Sequence, residues 1–506
     1  MRNPDLGIVL TAAILAAACQ EPTADLTQPT PAFSYSATGS CPAHADFVAT
    51  DMSSLLTAVS AARPNDTVAV SGTIDVSGTQ VIITTDDLTI TCATPGSGLR
   101  TEAGSGIDWL LVVFARRVSV ERLTLDATNV GDGAYLAYFN PDLGAFAGDA
   151  RFANNVVTCG PGRCAFVGAD NFAQMHGALV AGNSFIAAGG QNAIQAQGID
   201  GARIERNTVT AAGPSTDGIA SNGTIDLSVT DNTITGPFAT SLDLFDGVFS
   251  SSVARNRVGG GGDPIVLVGG DGVQFVDNEV QCGGTCLFTD GAARSVIANN
   301  RFESAGSGTG VHLQTGTDSS RIEGNTIIAT APSSTPFLGG IRVRDGRGVV
   351  IAHNVVSGPW ANSLALTDLP DARVEDNRLQ GAQAFGAAFT TGASFLTTSI
   401  TGNVVRNNQI IGAGSGGMLV QSACGNTFLG NELGASGLMG LVFASNTGAN
   451  TYVGNRAIVI DNGNFDCNGD GDVDPNILIG PGVGRSGVNL GQLLRRDAGA
   501  TSGKLH

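Results

Sequence analysis

The chain has 506 residues, a net charge of −18 and 14% charged residues, and Lys504 is its only lysine. This scarcity of cations argues against nucleic acid or an anionic membrane surface as a partner. Apolar residues make up 42% of the chain and its 71 glycines permit many tight turns, so the composition suits a long, continuous core.

The first 19 residues have the pattern of an export signal. Arg2 precedes an apolar run from Leu6 to Ala18 that is too short to span a bilayer. The run ends in Leu-Ala-Ala-Ala-Cys19, which resembles the lipobox of bacterial lipoproteins. That resemblance implies cleavage before Cys19, acylation of its sulfur and, with Gln20 next, sorting to the outer membrane or cell surface. Residues 20–40, rich in Pro, Thr, Ser and Ala, are predicted to be a tether.

Eight cysteines remain after Cys19, and an even number in an exported chain favours disulfides. The pairs Cys159–Cys164 and Cys282–Cys286 are spaced to close single turns, and Cys41–Cys92 and Cys424–Cys467 would then pin the two ends. Histidine is too scarce in the sequence to favour zinc sites. We therefore expect structural bridges.

The first predicted element after the tether is a short amphipathic helix. Leu55 and Val59 fall on one helical face, and Ser53 or Ser54 can cap its start. The alternating run from Thr67 to Val70 predicts a strand directly afterwards. Such a helix would cover the open end of a stack of strands.

The middle of the chain repeats one short phrase, as in Val229–Gly236 (VTDNTITG) and Phe275–Cys282 (FVDNEVQC). Its mean spacing of about 25 residues is typical of a solenoid. The repeated asparagines stand at positions 155, 183, 207, 232, 256, 278, 300, 325, 354, 377, 403, 431 and 455. Asparagine tolerates left-handed backbone, and stacked amides can form a ladder. We therefore predict one domain of about 13 turns whose Asn row is scaffold rather than a sugar-binding track.

Two features resemble a known family. The segment Arg63-Pro-Asn-Asp-Thr-Val68 after the helix resembles the N-terminal cap of right-handed parallel β-helix proteins of the pectin-lyase-like superfamily, and the Asn phrase resembles their PbH1 coil repeat. The resemblance implies an all-β, single-stranded right-handed parallel β-helix. It implies no single activity, because this fold hosts lyases, hydrolases, epimerases and non-catalytic binders.

The expected organisation follows from these patterns. It comprises a signal peptide with lipobox (1–19), the tether (20–40), the β-helix with its N-terminal cap (41–476) and a C-terminal cap or tail (477–506). Within that tail, Asn489–Arg496 (NLGQLLRR) is a candidate second cap helix. We expect the protein to be a monomer that meets the membrane only through its lipid anchor.

An acidic segment near the C-terminus interrupts the repeat. Its oxygen-bearing side chains at alternate positions are Asp466, Asn468, Asp470, Asp472 and Asp474. The series resembles the calcium loop of EF-hand and dockerin segments, although Ile477 stands at the last ligand position. Ca²⁺ is therefore the expected cofactor, and the alternative is an acidic turn held by Cys467.

One face carries the candidate chemistry. Where two apolar residues flank a third in a strand, the central residue should point outward. The predicted outward row is Asp243, Val266, Leu287, His312, Arg342 and Ala365, with Gln314, Arg344 and Thr367 in a neighbouring row. His312 and Arg342 should be about 5 Å apart along the axis, and Asp243 roughly 14 Å from His312.

These residues suggest a polysaccharide site. His312 can abstract the proton next to a uronate carboxylate while Arg342 neutralises the developing charge, and Asp243, Gln314 and Arg344 would bind substrate. The resemblance implies the same, because β-helix lyases and epimerases use basic groups on a similar face. The alternative is a set of scattered, solvated side chains on an ordinary sheet surface.

Two further features carry less weight. The segment Pro214–Ile219 (PSTDGI) looks like a fragment of the polygalacturonase signature, but the paired aspartates and Gly-His-Gly expected on later turns are absent from the sequence. Trp360, after a Gly-Pro pair, either stacks on sugar or plugs a loop.

The sequence thus predicts an exported, surface-anchored β-helix protein that binds an acidic polysaccharide. It leaves open whether the protein also modifies that polymer by lyase or epimerase chemistry. The alternative function is that of a non-catalytic cell-surface scaffold or adhesion protein.

Overall fold

The computed structural model describes residues 40–102, 109–129, 135–139, 148–168, 175–260, 262–305, 308–333, 339–391, 400–434 and 439–479. These residues form a parallel β-helix, as predicted, in which the chain passes through three parallel sheets on each turn. Each strand pairs in parallel with the equivalent strand of the next turn, for example Val229 with Val253 and Val253 with Phe275. Every side chain therefore stacks on its counterpart one turn away.

We number the sheets in the order in which the chain visits them. Sheet 1 has 18 strands: Phe47–Ala49, Thr67–Val70, Thr89–Cys92, Ser119–Glu121, Ala150–Ala153, Met175–Ala181, Ile199–Glu205, Ser228–Thr230, Ser252–Ala254, Gln274–Val276, Val296–Ala298, Arg321–Glu323, Val350–Ala352, Arg373–Glu375, Val404–Arg406, Thr427–Leu429, Thr451–Val453 and Ile477–Ile479. Sheet 2 has 15: Thr73–Asp75, Gly98–Arg100, Thr124–Ala127, Val156–Cys159, Ser184–Ala187, Thr208–Ala211, Thr233–Thr235, Arg257–Val258, Glu279–Cys282, Arg301–Ser304, Thr326–Ala329, Val355–Ser357, Arg378–Gln380, Gln409–Ile411 and Glu432–Gly434.

Sheet 3, which carries the candidate site, has 16 strands: Val81–Ile83, Trp109–Val113, Tyr135–Phe139, Arg163–Gly168, Ile194–Gln197, Ser215–Asn222, Phe238–Phe245, Ile265–Val268, Leu287–Asp290, Val311–Leu313, Gly339–Arg344, Asn362–Thr367, Phe385–Thr390, Gly416–Val420, Met439–Phe443 and Val459–Asp461. Two small sheets lie at the turns: Val248–Phe249 with Gly270–Asp271, and Ile400–Thr401 with Ala423–Cys424 and Thr447–Gly448.

The β-helix has about 16 turns, so the predicted number of about 13 turns is too low. The Asn spacing counts only turns that carry the asparagine. In the turn before Asn155, Leu123 takes that position, and its backbone N–H donates to Asn155 Oδ1. Because an apolar residue takes the asparagine position there, counting the repeated asparagines misses the early turns.

The asparagine ladder is confirmed. Asn278 is typical: its side-chain amide donates to Asn300 Oδ1 at 2.9 Å and to the Val253 carbonyl at 2.9 Å, and its backbone N–H also donates to Asn300 Oδ1. All these groups are buried, so each amide satisfies backbone groups that water cannot reach. The row is scaffold.

One predicted member of this ladder is wrong. Asn377 bonds to Asn408, not Asn403, in the segment where the two asparagines lie five positions apart. Asn403 instead starts a second ladder at the preceding bend, which continues through Asn426, Asn450 and Asn476. The last turns therefore have two amide ladders.

The N-terminal helix spans Met52–Ala61 and packs Leu55 and Val59 into the core. Its N-cap is Asp51, and not either of the two predicted serines. The Asp51 carboxylate accepts the Ser54 N–H at 2.8 Å, and the Ser54 hydroxyl accepts the Asp51 N–H at 3.0 Å. Ser54 is thus the second member of a capping box.

The core is one hydrophobic cluster inside the coil that runs from Ala49 to Val459. The four predicted disulfides are all present: Cys41–Cys92, Cys159–Cys164, Cys282–Cys286 and Cys424–Cys467. Trp360 is fully buried in this cluster, so it plugs the coil and does not stack on sugar.

Candidate functional site

The outer face of sheet 3 carries a row of side chains in register. Six consecutive turns contribute Asp243, Val266, Phe288, His312, Arg342 and Ala365. His312 and Arg342 are direct neighbours, as predicted, and Asp243 is three turns from His312. The row therefore joins an acidic end to a basic end.

The predicted row member Leu287 is wrong by one residue. Leu287 is buried and pairs with Ile265 and Val311, which face the core, so Phe288 takes the outward position. The cause is Cys286, which lies before the strand begins and bonds to Cys282 instead of serving as the inward flank.

His312 is the most hidden ionisable group at the basic end. Its side chain is 8% exposed, and its Nε2 is buried without a hydrogen-bond partner among the described residues. Its ring meets the Phe288 ring edge to face, with centroids 5.2 Å apart. Burial, followed by repulsion from Arg342 and Arg344, lowers the pKa of His312 to about 4, so the imidazole is neutral at pH 7.

Arg342 is a half-buried cation. In the part of the chain that the structure describes, no carboxylate lies within ion-pair distance of its guanidinium. Burial and the nearby Arg344 lower its pKa. Beside it in register stands Ala365, which is too short to reach across it.

Two side chains of the second outward row already have acidic partners within the chain. Arg344 is paired with Asp345, with Nε and Oδ2 3.1 Å apart, and lies in register with Thr367. The Gln314 amide donates to Asp290 Oδ2 at 3.4 Å. Arg344 and Gln314 thus remain candidate substrate-binding residues, but Arg342 is the cation with the stronger need for a counter-ion.

At the other end of the face, Asp243 is half-buried, and burial and the charge of Asp246 raise its pKa. Asp217, one turn earlier, is 6% exposed. Burial and repulsion from Asp243 raise the pKa of Asp217 to about 7. Among the described residues, no hydrogen bond or ion pair reaches either carboxyl group.

Two amides lie within two turns of Asp243. Gln195 is 8% exposed and shares the outer row with Asp243, separated from it in register by Ala220. Its Nε2 donates to Gln197 Oε1 at 3.1 Å, whereas its Oε1 has no hydrogen-bond donor among the described residues. Asn222, on the same strand as Ala220, also has a buried Oδ1 without a donor.

Sequence reasoning assigned no role to Asp217, Gln195 or Asn222. A signal for Asp217 existed in the PSTDGI segment. Simple alternation from the buried Ile219 would turn Asp217 inward, but a Cβ on Gly218 would lie 2.6 Å from the core side chain of Ile234. Gly218 and Ile219 both face the core, and Asp217 is therefore outward.

Outward residues at the C-terminal end of the face are apolar. Val442 and Ile460 are buried there in a second cluster with Met439, packed against Leu419. In the main outward row of the described strands, the residues that follow Arg342 are therefore apolar: Ala365, Ala388, Leu419, Val442 and Ile460.

The acidic loop does not gather its side chains around a common point. Asp466 accepts the Gly469 and Gly471 N–H groups at 2.6 and 2.8 Å, and Asp474 accepts the Cys467 N–H at 2.9 Å. Among the described residues, no three His, Cys, Asp or Glu side chains form a group that could hold a metal ion. Calcium binding by this loop stays a prediction.

Cys19, the tether up to residue 39 and the candidate helix Asn489–Arg496 lie outside the described residues. Within the described chain, no helix has both the length and the hydropathy of a membrane span. The disulfides fit an oxidising compartment and therefore export.

Comparison with known proteins supports the fold. Residues 217–379 and 264–433 match the profile of the family described as right handed beta helix region. No curated protein sequence matches the chain.

Several solved structures are similar at low identity. The A-module of the mannuronan C-5 epimerase AlgE6 of Azotobacter vinelandii is 13% identical, over 81% of this chain and 96% of that one, with a TM-score of 0.35. The periplasmic alginate epimerase AlgG is 12% identical over 76% and 83%, with a TM-score of 0.36. PfbA, a surface adhesin of Streptococcus pneumoniae, is 9% identical over 79% and 87%, with a TM-score of 0.37. Likeness this low leaves the chemistry to be argued from the residues themselves. The stacked sheets establish a parallel β-helix fold, and the segments 217–379 and 264–433 within it match the right handed beta helix family.

Proposed function

We propose that this chain is an exported, lipid-anchored β-helix protein that binds an acidic polysaccharide on the outer face of sheet 3. The observation that carries the proposal is Arg342, a half-buried guanidinium that has no carboxylate partner among the described residues and lies beside the buried His312. A cation removed from water without a counter-ion is unfavourable, and a bound anion relieves that cost.

A sugar carboxylate suits this position. The guanidinium presents a planar fork of donors that matches a carboxylate, and such charge-assisted bonds are stronger than neutral ones. The net charge of −18 excludes general attraction of polyanions, so binding must depend on this local site.

The same pair is suited to proton abstraction. With a pKa of about 4, His312 is an unprotonated base at pH 7. It would take the proton from the carbon next to the carboxylate, and the electron pair would pass into the carboxylate, stabilised by Arg342. Return of a proton to the opposite face gives epimerisation, whereas loss of the neighbouring glycosidic oxygen gives lyase cleavage. A bound carboxylate would also raise the pKa of His312 and strengthen the base.

Cys19 is the proposed point of attachment. Its acylation would hold the β-helix at the outer membrane or cell surface through the tether of residues 20–40. Mass spectrometry of the N-terminal peptide from the native host tests this: a diacylglyceryl adduct on Cys19 supports anchoring, and an unmodified or differently cleaved N-terminus contradicts it.

The function is tested with the protein lacking residues 1–40 on a panel of acidic and neutral polysaccharides, reading affinity and product together. We expect acidic polymers to bind, and we expect the Arg342→Ala substitution to weaken their binding at least about tenfold. Arg321→Ala is the matched control, because Arg321 is exposed on sheet 1 and paired with Glu323.

The outcomes separate the two function classes. Unsaturated or epimerised uronates that disappear in His312→Asn establish an enzyme. Binding without turnover establishes a binding protein. If no polymer binds, or if the two arginine variants behave alike, the non-catalytic scaffold or adhesion protein is the better account.

A further inference from the structure

The outer face of sheet 3 has opposite character at its two ends. Four register steps separate Asp243 from Arg342, which corresponds to roughly 19 Å along the axis. That distance accommodates several sugar residues of one chain. Whatever saccharide spans the face meets both environments at once.

The acidic end of the face, around Asp217 and Asp243, carries side-chain oxygens to which no group among the described residues donates a hydrogen bond. Asp217 and Asp243 have no hydrogen bond or ion pair to their side chains among the described residues. Gln195 is more than nine-tenths buried and its Oε1 is unpartnered, as is the Oδ1 of Asn222. Ala220, with only a methyl group, separates Gln195 from Asp243 and leaves no long side chain between them.

A polymer with a carboxylate on every sugar suits this end poorly. Where both carboxyl groups are ionised, it would bring negative charge against two groups that already repel each other. Because the groups are withdrawn from water, solvent screens this repulsion less than at an open surface. Like charges opposed in this way lower affinity by well over tenfold.

Resting on the proposed function, we infer that the glycan bound here is a mixed polymer. A sugar that presents hydrogen-bond donors and no negative charge lies over Gln195, Asp217 and Asp243, while an acidic sugar lies at Arg342. The donors are hydroxyl or amide N–H groups of a neutral sugar, or the ammonium group of an amino sugar.

The experiment measures affinity by calorimetry for three oligosaccharides of equal length. The first is an oligogalacturonate, in which every sugar is acidic. The second is a hyaluronan fragment, in which glucuronate alternates with N-acetylglucosamine. The third is the same fragment after deacetylation, which converts the amide into an ammonium group.

We expect the hyaluronan fragment to bind at least about tenfold more tightly than the oligogalacturonate. At pH 8, where Asp217 is ionised, the isosteric variants Asp217→Asn and Asp243→Asn should each improve oligogalacturonate binding several-fold. A preference for the deacetylated fragment that these variants abolish identifies an amino sugar, and equal binding of the two fragments identifies a neutral one. Asp277→Asn is the control, because it removes one charge from an exposed position between sheets 1 and 2.

The inference is overturned if oligogalacturonate binds at least as tightly as the alternating fragments and the two variants leave its affinity unchanged. The proposed function survives that result, provided Arg342→Ala still weakens binding. If no acidic saccharide binds wild-type protein, both are overturned. Thermal melting of each variant shows that a lost signal does not reflect unfolding.

Discussion

Asp217 and His312, at the two ends of the outer face of sheet 3, are hidden from water to almost the same degree, being 6% and 8% exposed. Burial penalises the charged form of each, so it acts in opposite directions on the two groups. The pKa of Asp217 rises to about 7, whereas that of His312 falls to about 4. Both side chains are therefore largely neutral between about pH 4 and 6.5, a range in which each would be charged in water.

The acidic loop shows that residue type does not decide this behaviour. Asp466 is partly exposed and accepts backbone N–H groups from Gly471 and Gly469, which lower its pKa. Its charge is stabilised by donors within the chain. Asp217 lacks such donors among the described residues, so a ligand that supplies them would give its carboxyl group the hydrogen bonds that the chain does not.

The largest effect is expected from Asp217→Asn. In the folded protein Asp217 keeps its proton up to about pH 7, whereas the unfolded carboxyl loses it near 3.8. The folded protein therefore has its full free energy of unfolding below pH 3.8. The part that depends on a protonated Asp217 is lost as the pH rises through 7. The variant should be more stable than wild type at pH 8, by on the order of 2–4 kcal/mol, and similar at pH 4.

Chemical denaturation at the two pH values measures this difference. Asp243 and Asp246 are the charged groups that act on this end of the face. An unchanged free energy of unfolding at pH 8 would show that Asp217 is not desolvated as described.

His312 should show the opposite pH dependence with a smaller effect. The unfolded imidazole takes up a proton below 6.5, but the folded one does not until about 4. Stability is therefore full above pH 6.5 and is lost as the pH falls through 4. In His312→Asn this loss, on the order of 1–3 kcal/mol, should be absent.

Acid denaturation of wild type and variant, compared between pH 7 and pH 4, gives the measurement. Arg342, Arg344 and Asp290 are the charged groups that act on His312. Parallel curves for the two proteins would contradict the assignment.

A smaller change is expected when Arg342 is replaced by Gln. Burial is the main cause of the low pKa of His312, and Arg342 comes second. The pKa should rise in the variant but stay below 6.5. Nuclear magnetic resonance titration of the imidazole measures it, with Arg321→Gln as control; an unmoved pKa would mean that the two side chains do not interact.

The smallest effect is expected at the acidic loop, where the charges are exposed. If the loop takes calcium, millimolar Ca²⁺ should raise the melting temperature by a few degrees or less, and Asp470→Asn should reduce that increase. Equal melting curves with calcium and with chelator would contradict calcium binding by this loop.

Much of the fold could be predicted because the repeat encodes it locally. The two short disulfides, the buried asparagines and the pairing of His312 with Arg342 all follow from counting positions within a turn. The exceptions occur where local chemistry breaks the count. Cys286 stands outside its strand, and Asn408 replaces Asn403 in the ladder.

The character of the site was harder to predict because pointing outward is not the same as being exposed. Alternation indicates direction, and it placed Asp243, His312 and Arg342 on one face. It carries no information on desolvation, which shifts the pKa values of all three. Asp217 was given no role because the rest of the polygalacturonase signature is absent from the sequence. Alternation would not have identified it either, because the inward Gly218 shifts the pattern by one residue.

The anion site at His312 and Arg342 is tested most directly by the pKa of His312, measured by nuclear magnetic resonance with and without saturating trigalacturonate, a probe short enough to occupy the basic end alone. We expect a value near 4 in the free protein and a clear rise when a carboxylate binds beside His312 and Arg342. A value near 6.5 in the free protein, or one that the saccharide leaves unchanged, would contradict an anion site at this position.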